Sequence, residues 1–177
     1  MLVGKKCHLT AVNSESLEQM REWRNDPELR QYFREYREIS DFLQNSWYEK
    51  ISKDQNQVNF EIRDPVKDIL IGHCGLYYID WRSRHAEFGI YVGHNSYKSS
   101  GYGSDALRTL IKYGFNDVNL NRIWCEVYSN NEAIDIYRHI GFKDEGVLRD
   151  KYFNDGKYWD SYMLSMLKKD FNVINCS

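Results

Sequence analysis

The sequence predicts an α/β domain built on one mixed, mostly antiparallel sheet of about seven strands flanked by about four helices, and three observations carry that prediction. Around the middle of the chain, Ala86, Phe88, Ile90 and Val92 alternate with His85, Glu87, Gly89 and Tyr91. After a glycine turn, Ala106, Leu107, Leu110, Ile111, Gly114 and Phe115 then recur three and four residues apart, so a strand feeds a loop and then a helix. Strand-period and helix-period segments alternate along the chain in the order β-α-α-β-β-β-α-β-α-β-β, with no repeat and no interdomain linker. Finally, Asn154-Asp155-Gly156 sits between the last two strand patterns, where it favours a tight hairpin.

Taken in order, residues 5–12 read as a first strand. Asn13, Ser14 or Ser16 can cap the next helix, Ser16 with Gln19 as a capping box, and Leu17, Met20 and Arg24 lie on one side of it. Pro27 excludes helix just before itself and suits a first helical turn, so the chain kinks at Asn25–Asp26 and a short helix follows, carrying Arg30, Tyr32, Phe33, Arg34, Tyr36 and Arg37. Ser40 caps another helix, with Leu43, Trp47 and Ile51 at four-residue spacing. Val58–Arg63 alternates as a strand, and Asp64-Pro65-Val66-Lys67-Asp68 is turn chemistry. Ile69–Asp80 is a long strand expected to bend or bulge at Gly72 and Gly75. Beyond the central strand and helix come a strand at Arg122–Tyr128, a helix from about Asn131 to Ile140, a strand after Gly141 and a last strand at Lys157–Met166.

At 177 residues the chain fits one domain with a sizeable core. A net charge of −2 and a pI of about 6.2 argue against a general nucleic-acid binder, which carries a basic stripe. The sequence has no apolar run long enough to span a bilayer and no apolar leader after Met1, so membrane insertion and export are not expected. Cys7, Cys74, Cys125 and Cys176 stand apart, without CxxC spacing, and read as reduced thiols of a cytoplasmic protein.

The loop Lys98-Ser99-Ser100-Gly101-Tyr102-Gly103-Ser104 opens the central helix. Its unpaired backbone N–H groups, eased by two glycines and aided by the helix dipole, suit a phosphate or pyrophosphate. Lys98-x-x-Gly101-x-Gly103 resembles the acetyl-CoA loop (Q/R)xxGx(G/A) of the GNAT acetyltransferase superfamily, with Lys in place of Gln or Arg. Asn131, Ala133, Tyr137, Gly141 and Phe142 resemble that family's NxxAxxxYxxxGF motif; Ala133 follows Asn131 by two residues rather than three, and Asn130 restores the count. The two motifs stand in family order, and the resemblance spans roughly residues 7–168 of the single 1–177 domain.

The resemblance implies acetyl transfer from acetyl-CoA to an amine, with no metal. An amine of pKa ~10.4 is neutral at pH 7 in about one molecule in 2,500, a handicap of roughly 4–5 kcal/mol, so a base matters. By resemblance Tyr137 faces the CoA sulfur and acts as the acid; its helical stripe with Ala133, Ile136 and Ile140 equally suits core packing. Glu87, on the non-apolar face of the strand leading into the loop, is the candidate base, directly or through a water, with His85 in reserve; a partnership with Arg84 or Arg63 is the structural alternative. Backbone atoms of Ile90, Tyr91 and Val92 are expected to pair with the pantetheine arm as an added strand would. Lys98, Gly101, Tyr102, Gly103 and Ser104 are expected to hold the pyrophosphate, and Asn131 both to cap its helix and to bond the pantetheine.

For the acceptor, the sequence points to Trp23, Arg24, Asn25, Tyr32, Phe33, Tyr77 and Glu87. The Trp23–Asp26 stretch and Asp155–Asp160 resemble the branch containing ribosomal-protein N-terminal, spermidine and nucleotide-amino-sugar acetyltransferases. Arg30, Arg34 and Arg37 among aromatics suit a nucleotide diphosphate or form a salt-bridged surface. A nucleotide-linked amino sugar is therefore the first reading, and a protein N-terminus or a polyamine the alternative. A catalytically silent acyl-CoA-binding module is the alternative of another class. The partner is a small-molecule or peptide amine, and the chain acts as a monomer or homodimer.

Overall fold

In the computed structural model, which describes residues 1–176 with side chains through Asn172, eight strands form one sheet in the order β1-β2-β3-β4-β5-β6-β8-β7. They are β1 Leu2–Val3, β2 His8–Ala11, β3 Val58–Arg63, β4 Leu70–Asp80, β5 His85–Val92, β6 Arg122–Tyr128, β7 Lys143–Asn154 and β8 Lys157–Leu167. The helices are α1 Leu17–Asn25, α2 Pro27–Arg30, α3 Asp41–Ile51, α4 Tyr102–Asn116, α5 Ala133–Ile140 and α6 Lys168–Cys176. Every neighbouring pair is antiparallel except β5–β6, which runs parallel. The mixed, mostly antiparallel sheet matches the predicted class, with one strand more than the predicted seven and two helices more than four. The elements that no pattern announced are β1, two residues long, and α6, which follows β8 directly, pieces so short or so placed that they carry no period of their own; α2 is the short helix expected after Pro27.

The core lies under α4. Ala106, Leu107, Leu110, Ile111 and Phe115 are buried against Leu76, Ala86, Phe88 and Ile123 of the sheet, which is the apolar face that the alternation on β5 predicts. Asp105 fastens the start of the chain to α4, its carboxylate accepting the N–H groups of Lys5, Lys6 and Cys7 at 3.0, 2.7 and 3.1 Å. That use of residues 5–7 is why the strand predicted over 5–12 shortens to His8–Ala11. On the other face of the sheet α1 and α3 pack together, with Met20 and Trp23 buried.

Three local expectations need correction. Ser16 makes no side-chain cap: its hydroxyl accepts from Arg63 at 3.1 Å, and Asn13 caps a preceding 3₁₀ turn instead. The helix expected beyond Pro27 ends at Arg30, and residues 31–40 run as turns and bends. Asn25 pins that segment, its side chain donating to the Ile39 carbonyl at 2.9 Å and accepting the Ile39 N–H at 2.8 Å, a tie to extended backbone that a continuing helix would break. β4 is irregular at two places: beside Gly72, as expected, where Ile62 pairs with Gly72 but Arg63 with Leu70, and at Tyr78 (φ 51°), where no glycine stands. Gly75 and Gly89 serve close approach instead: a Cβ on either would lie 2.9 or 2.8 Å from the Tyr77 ring. The hairpin at Asp155-Gly156 forms as expected, with φ of 50° and 74°.

Candidate active site

β5 and β6 pair only at His85–Arg122, Ala86–Ile123 and Glu87–Trp124. Beyond Glu87 the strands separate, while β5 stays paired with β4 as far as Val92. The β6-facing edge of β5 is thereby left free over Phe88–Val92, opening a slot into a cavity of about 940 Å³. Phe88, Ile90, Tyr91 and Val92 line one side of it, and Val127, Asn131 and Tyr137 the other. An extended arm bearing amides fits such an edge as an added strand does.

At one end of the cavity lies the start of α4. Gly101 adopts φ 86° as the N-cap and offers no side-chain cap, so the first N–H groups of the helix have no intrahelical partner. Lys98, Ser99, Gly103 and Ser104 form the wall there. Gly101 and Tyr102, both expected at the anion site, stand behind it. Lys6 covers them, its ammonium 5.8 Å from the Tyr102 ring centroid and donating to the Ser100 carbonyl at 2.9 Å. Uncapped N–H groups, Lys98 and an open strand edge fit the pyrophosphate and pantetheine of CoA.

Tyr137 reaches the middle of the cavity from α5, half-buried, with its ring 5.1 Å from Phe88 in edge contact. Burial pushes its pKa up, with a smaller contribution from Cys125, so the phenol keeps its proton at neutral pH. Asn131 turns the chain into α5 by accepting the Ala133 N–H at 2.9 Å, the capping role its residue type predicts. Buried Cys125 also lines the cavity, but burial pushes its thiol pKa up, as it does for Cys74 and, to about 12, for Cys7. None of the three is poised as a nucleophile.

The opposite half of the cavity lies on the Glu87 face. Glu87, Gly89 and Tyr91 of β5 stand beside Tyr77, Gly75 and His73 of β4. Glu87 is 5% exposed, and its partner is neither Arg84 nor Arg63 but Arg34. The guanidinium donates from Nη1 to Glu87 Oε2 at 2.9 Å and from Nη2 to Glu87 Oε1, and also to Glu126 Oε2 at 3.1 Å. Burial works against the charge of Arg34, yet the Glu87 hydrogen bond and the two carboxylates outweigh it and raise its pKa. Two carboxylates thus converge on one cation between β5 and β6. Glu126 was within reach of the sequence: it lies two residues after Trp124, which pairs with Glu87, and alternation puts it on the same face. His85, the reserve base, lies at the strand end 3.8 Å from Asp80 and does not line the cavity.

Of the residues expected at the acceptor, Arg24, Tyr32, Phe33, Tyr77 and Glu87 line the cavity. Trp23 and Asn25 do not. Trp23 is buried and fills the space over Gly93, its ring in edge contact with Tyr91 at 6.4 Å, and Asn25 is spent on Ile39. The expected nucleotide grip does not form either: Arg30 pairs with Glu38, Arg37 with Glu35, and Arg34 with Glu87 and Glu126. Gln44, Trp47 and His73 also line this half. No motif marks them, because α3 reaches the site only through the tertiary fold.

Residues 7–143 match the family described as the acetyltransferase (GNAT) domain. The chain is 31% identical over 176 residues, covering 96% of it and 97% of the relative, to the uncharacterized N-acetyltransferase p20 of Bacillus licheniformis. It is 30% identical over 154 residues, 86% of this chain and 75% of the relative, to the spermidine N(1)-acetyltransferase of Escherichia coli. The crystal structure of a spermidine N-acetyltransferase from Vibrio cholerae in complex with CoA and spermine is similar with a TM-score of 0.88, at 25% identity, over 94% of this chain and 98% of that one. A sugar-nucleotide acceptor finds no support in these relatives. The chain belongs to the GNAT acetyltransferase family, enzymes that take their acetyl group from acetyl-CoA.

Proposed function

We propose that this chain acetylates a small primary alkylamine by direct transfer from acetyl-CoA in a ternary complex, and that the carboxylate pair Glu87 and Glu126 receives the amine. The observation that carries this reading is the Arg34 guanidinium held between those two carboxylates where the β5–β6 pairing ends and the slot begins. The place suits a cation, and an alkylammonium of the kind present in spermidine, after which two of the named relatives are called, can take it once Arg34 swings out. Arg34 is half exposed and comes from the irregular 31–40 segment, so the exchange needs no rearrangement of the sheet.

Acetyl-CoA, when bound, supplies an acyl thioester. Glu87 takes one proton from the ammonium, which frees the nitrogen lone pair to form the new N–C bond as the C–S bond breaks. Tyr137 gives its phenolic proton to the departing sulfur, and the second proton of the acylated nitrogen passes through water to the Tyr137 phenolate. The buried thiols, with raised pKa values, favour this direct route over one through an acetyl-cysteine.

The reading is tested by following CoA thiol release with spermidine, a UDP-linked amino sugar and a ribosomal-protein N-terminal peptide side by side. Turnover with the alkylamine, and none with the sugar nucleotide, is expected. Binding of acetyl-CoA without turnover for any amine would instead favour the silent-module alternative.

A further inference from the structure

Away from Glu87, the acceptor half of the cavity ends in a recess between α1, α3 and β4. Trp47 on α3 faces His73 on β4, their rings 5.7 Å apart, and Gln44, three residues before Trp47, lines the same cavity. Tyr91 closes the other flank, 5.7 Å from His73. Gln44 is 3% exposed and His73 5%, yet Gln44 Nε2, Gln44 Oε1 and His73 Nε2 have no hydrogen-bond partner among the described residues. Buried polar atoms in a folded protein are nearly always paired, because leaving one without a partner is costly. Two such side chains lining one recess therefore point to a ligand.

Charge narrows the class of ligand. Arg24 lines the same recess, lies over the Phe33 ring at 5.4 Å and makes no ion pair within 4 Å among the described residues; the carboxylate that feels its charge, Glu35, is bound by Arg37. Burial pushes the pKa of His73 down to about 3, and the nearby Arg24 charge adds to the effect. The imidazole is therefore neutral at physiological pH and has one ring N–H to donate. The recess thus offers a fixed positive charge, an amide N–H and an imidazole nitrogen, walled by Trp47, Tyr77 and Tyr91. A second ammonium would meet the Arg24 charge there; a carboxylate would meet complementary donors on each side.

We infer that the acceptor carries a carboxylate at the end remote from its amine, held by Arg24, Gln44 and His73, so that the preferred substrate is an amino carboxylate rather than a polyamine. This rests on the reading of Glu87 and Glu126 as the amine end. The test is kcat/KM for β-alanine, γ-aminobutyrate, ε-aminocaproate and spermidine, measured on the parent, Arg24→Gln and Gln44→Leu. At least one amino carboxylate is expected to exceed spermidine about tenfold or more. Arg24→Gln and Gln44→Leu should each erase that preference, mainly by raising KM for the amino carboxylate, and Arg24→Gln, which removes the charge that a second ammonium meets, should lower KM for spermidine. Gln44→Leu should also fold with a Tm at or above the parent's, since it removes an unpaired buried amide; this separates a lost contact from a damaged fold. Spermidine turned over as well as or better than every amino carboxylate would overturn the inference and leave the proposed function standing. No turnover with any amine would overturn that function and this inference with it.

Discussion

At the scale of single side chains, the proposed mechanism rests on Tyr137 and Glu87, and each can be removed with little change of shape. Tyr137→Phe keeps the ring packed on Phe88 and Phe142 and removes only the proton, so kcat is expected to fall about tenfold or more with acetyl-CoA affinity nearly unchanged; an unaltered kcat would return Tyr137 to the core. Glu87→Gln keeps a partner for Arg34 and removes the base. The rising limb of the pH–rate profile should then be lost, and a profile that keeps its shape would assign Glu87 to positioning alone. Tyr137 and Glu87 were legible in the sequence because a motif and a strand alternation fix their places. Arg34 stands out in the sequence only as one of three arginines suited to a diphosphate. Its pairing with two carboxylates depends on the non-helical path of residues 31–40, which is set by the distant Asn25–Ile39 hydrogen bonds.

At the scale of elements, the site is the product of one parallel pairing that ends early, between β5 and β6, and of one helix that starts without a side-chain cap. Both come from the strand–loop–helix stretch that the sequence displays most clearly. The Gly103 position is the close point, where a Cβ would lie 3.3 Å from Val92. Gly103→Val brings branched carbon into the cofactor wall, so acetyl-CoA affinity should fall at least about a hundredfold with the circular-dichroism spectrum and the unfolding transition retained; calorimetric titration with CoA checks it. Boundaries of regular elements were also legible, and Val58–Arg63 and Arg122–Tyr128 fall where alternation puts them. The bend of β4 was legible at Gly72 but not at Tyr78, since a strand glycine signals either a bulge or a close approach, and at Gly75 and Gly89 the Tyr77 ring takes the space they leave.

Across the whole molecule, the sheet is clamped at two carboxylates whose ionised forms the fold favours. Burial works against the Asp105 charge, but the backbone N–H groups of Lys6, Lys5 and Cys7 outweigh it and lower its pKa. Asp64 is lowered by the N–H groups of Lys67 and Val66 and by the Tyr97 hydroxyl, which donates to it at 2.8 Å. A carboxyl with a depressed folded pKa adds stability that is present above its unfolded value near ~4 and is lost as the pH falls through the folded value. The Tm should accordingly hold between neutrality and pH ~5 and drop below pH ~4, and Asp105→Asn should lower the Tm at neutrality while flattening the acid drop. The α/β class, the mixed sheet and the family were all legible from local pattern and two motifs. The acceptor recess was not, because it joins α1, α3 and β4, whose meeting is a property of the assembled fold.

The most direct test of the central claim is mass spectrometry of a small alkylamine, spermidine or γ-aminobutyrate, after incubation with acetyl-CoA and either the parent chain or a Glu87→Gln/Glu126→Gln double variant. One acetyl group added to the amine by the parent, and loss of that product in the double variant with CoA binding retained, is the predicted result. Equal acetylation by both proteins would contradict the placement of the amine between Glu87 and Glu126.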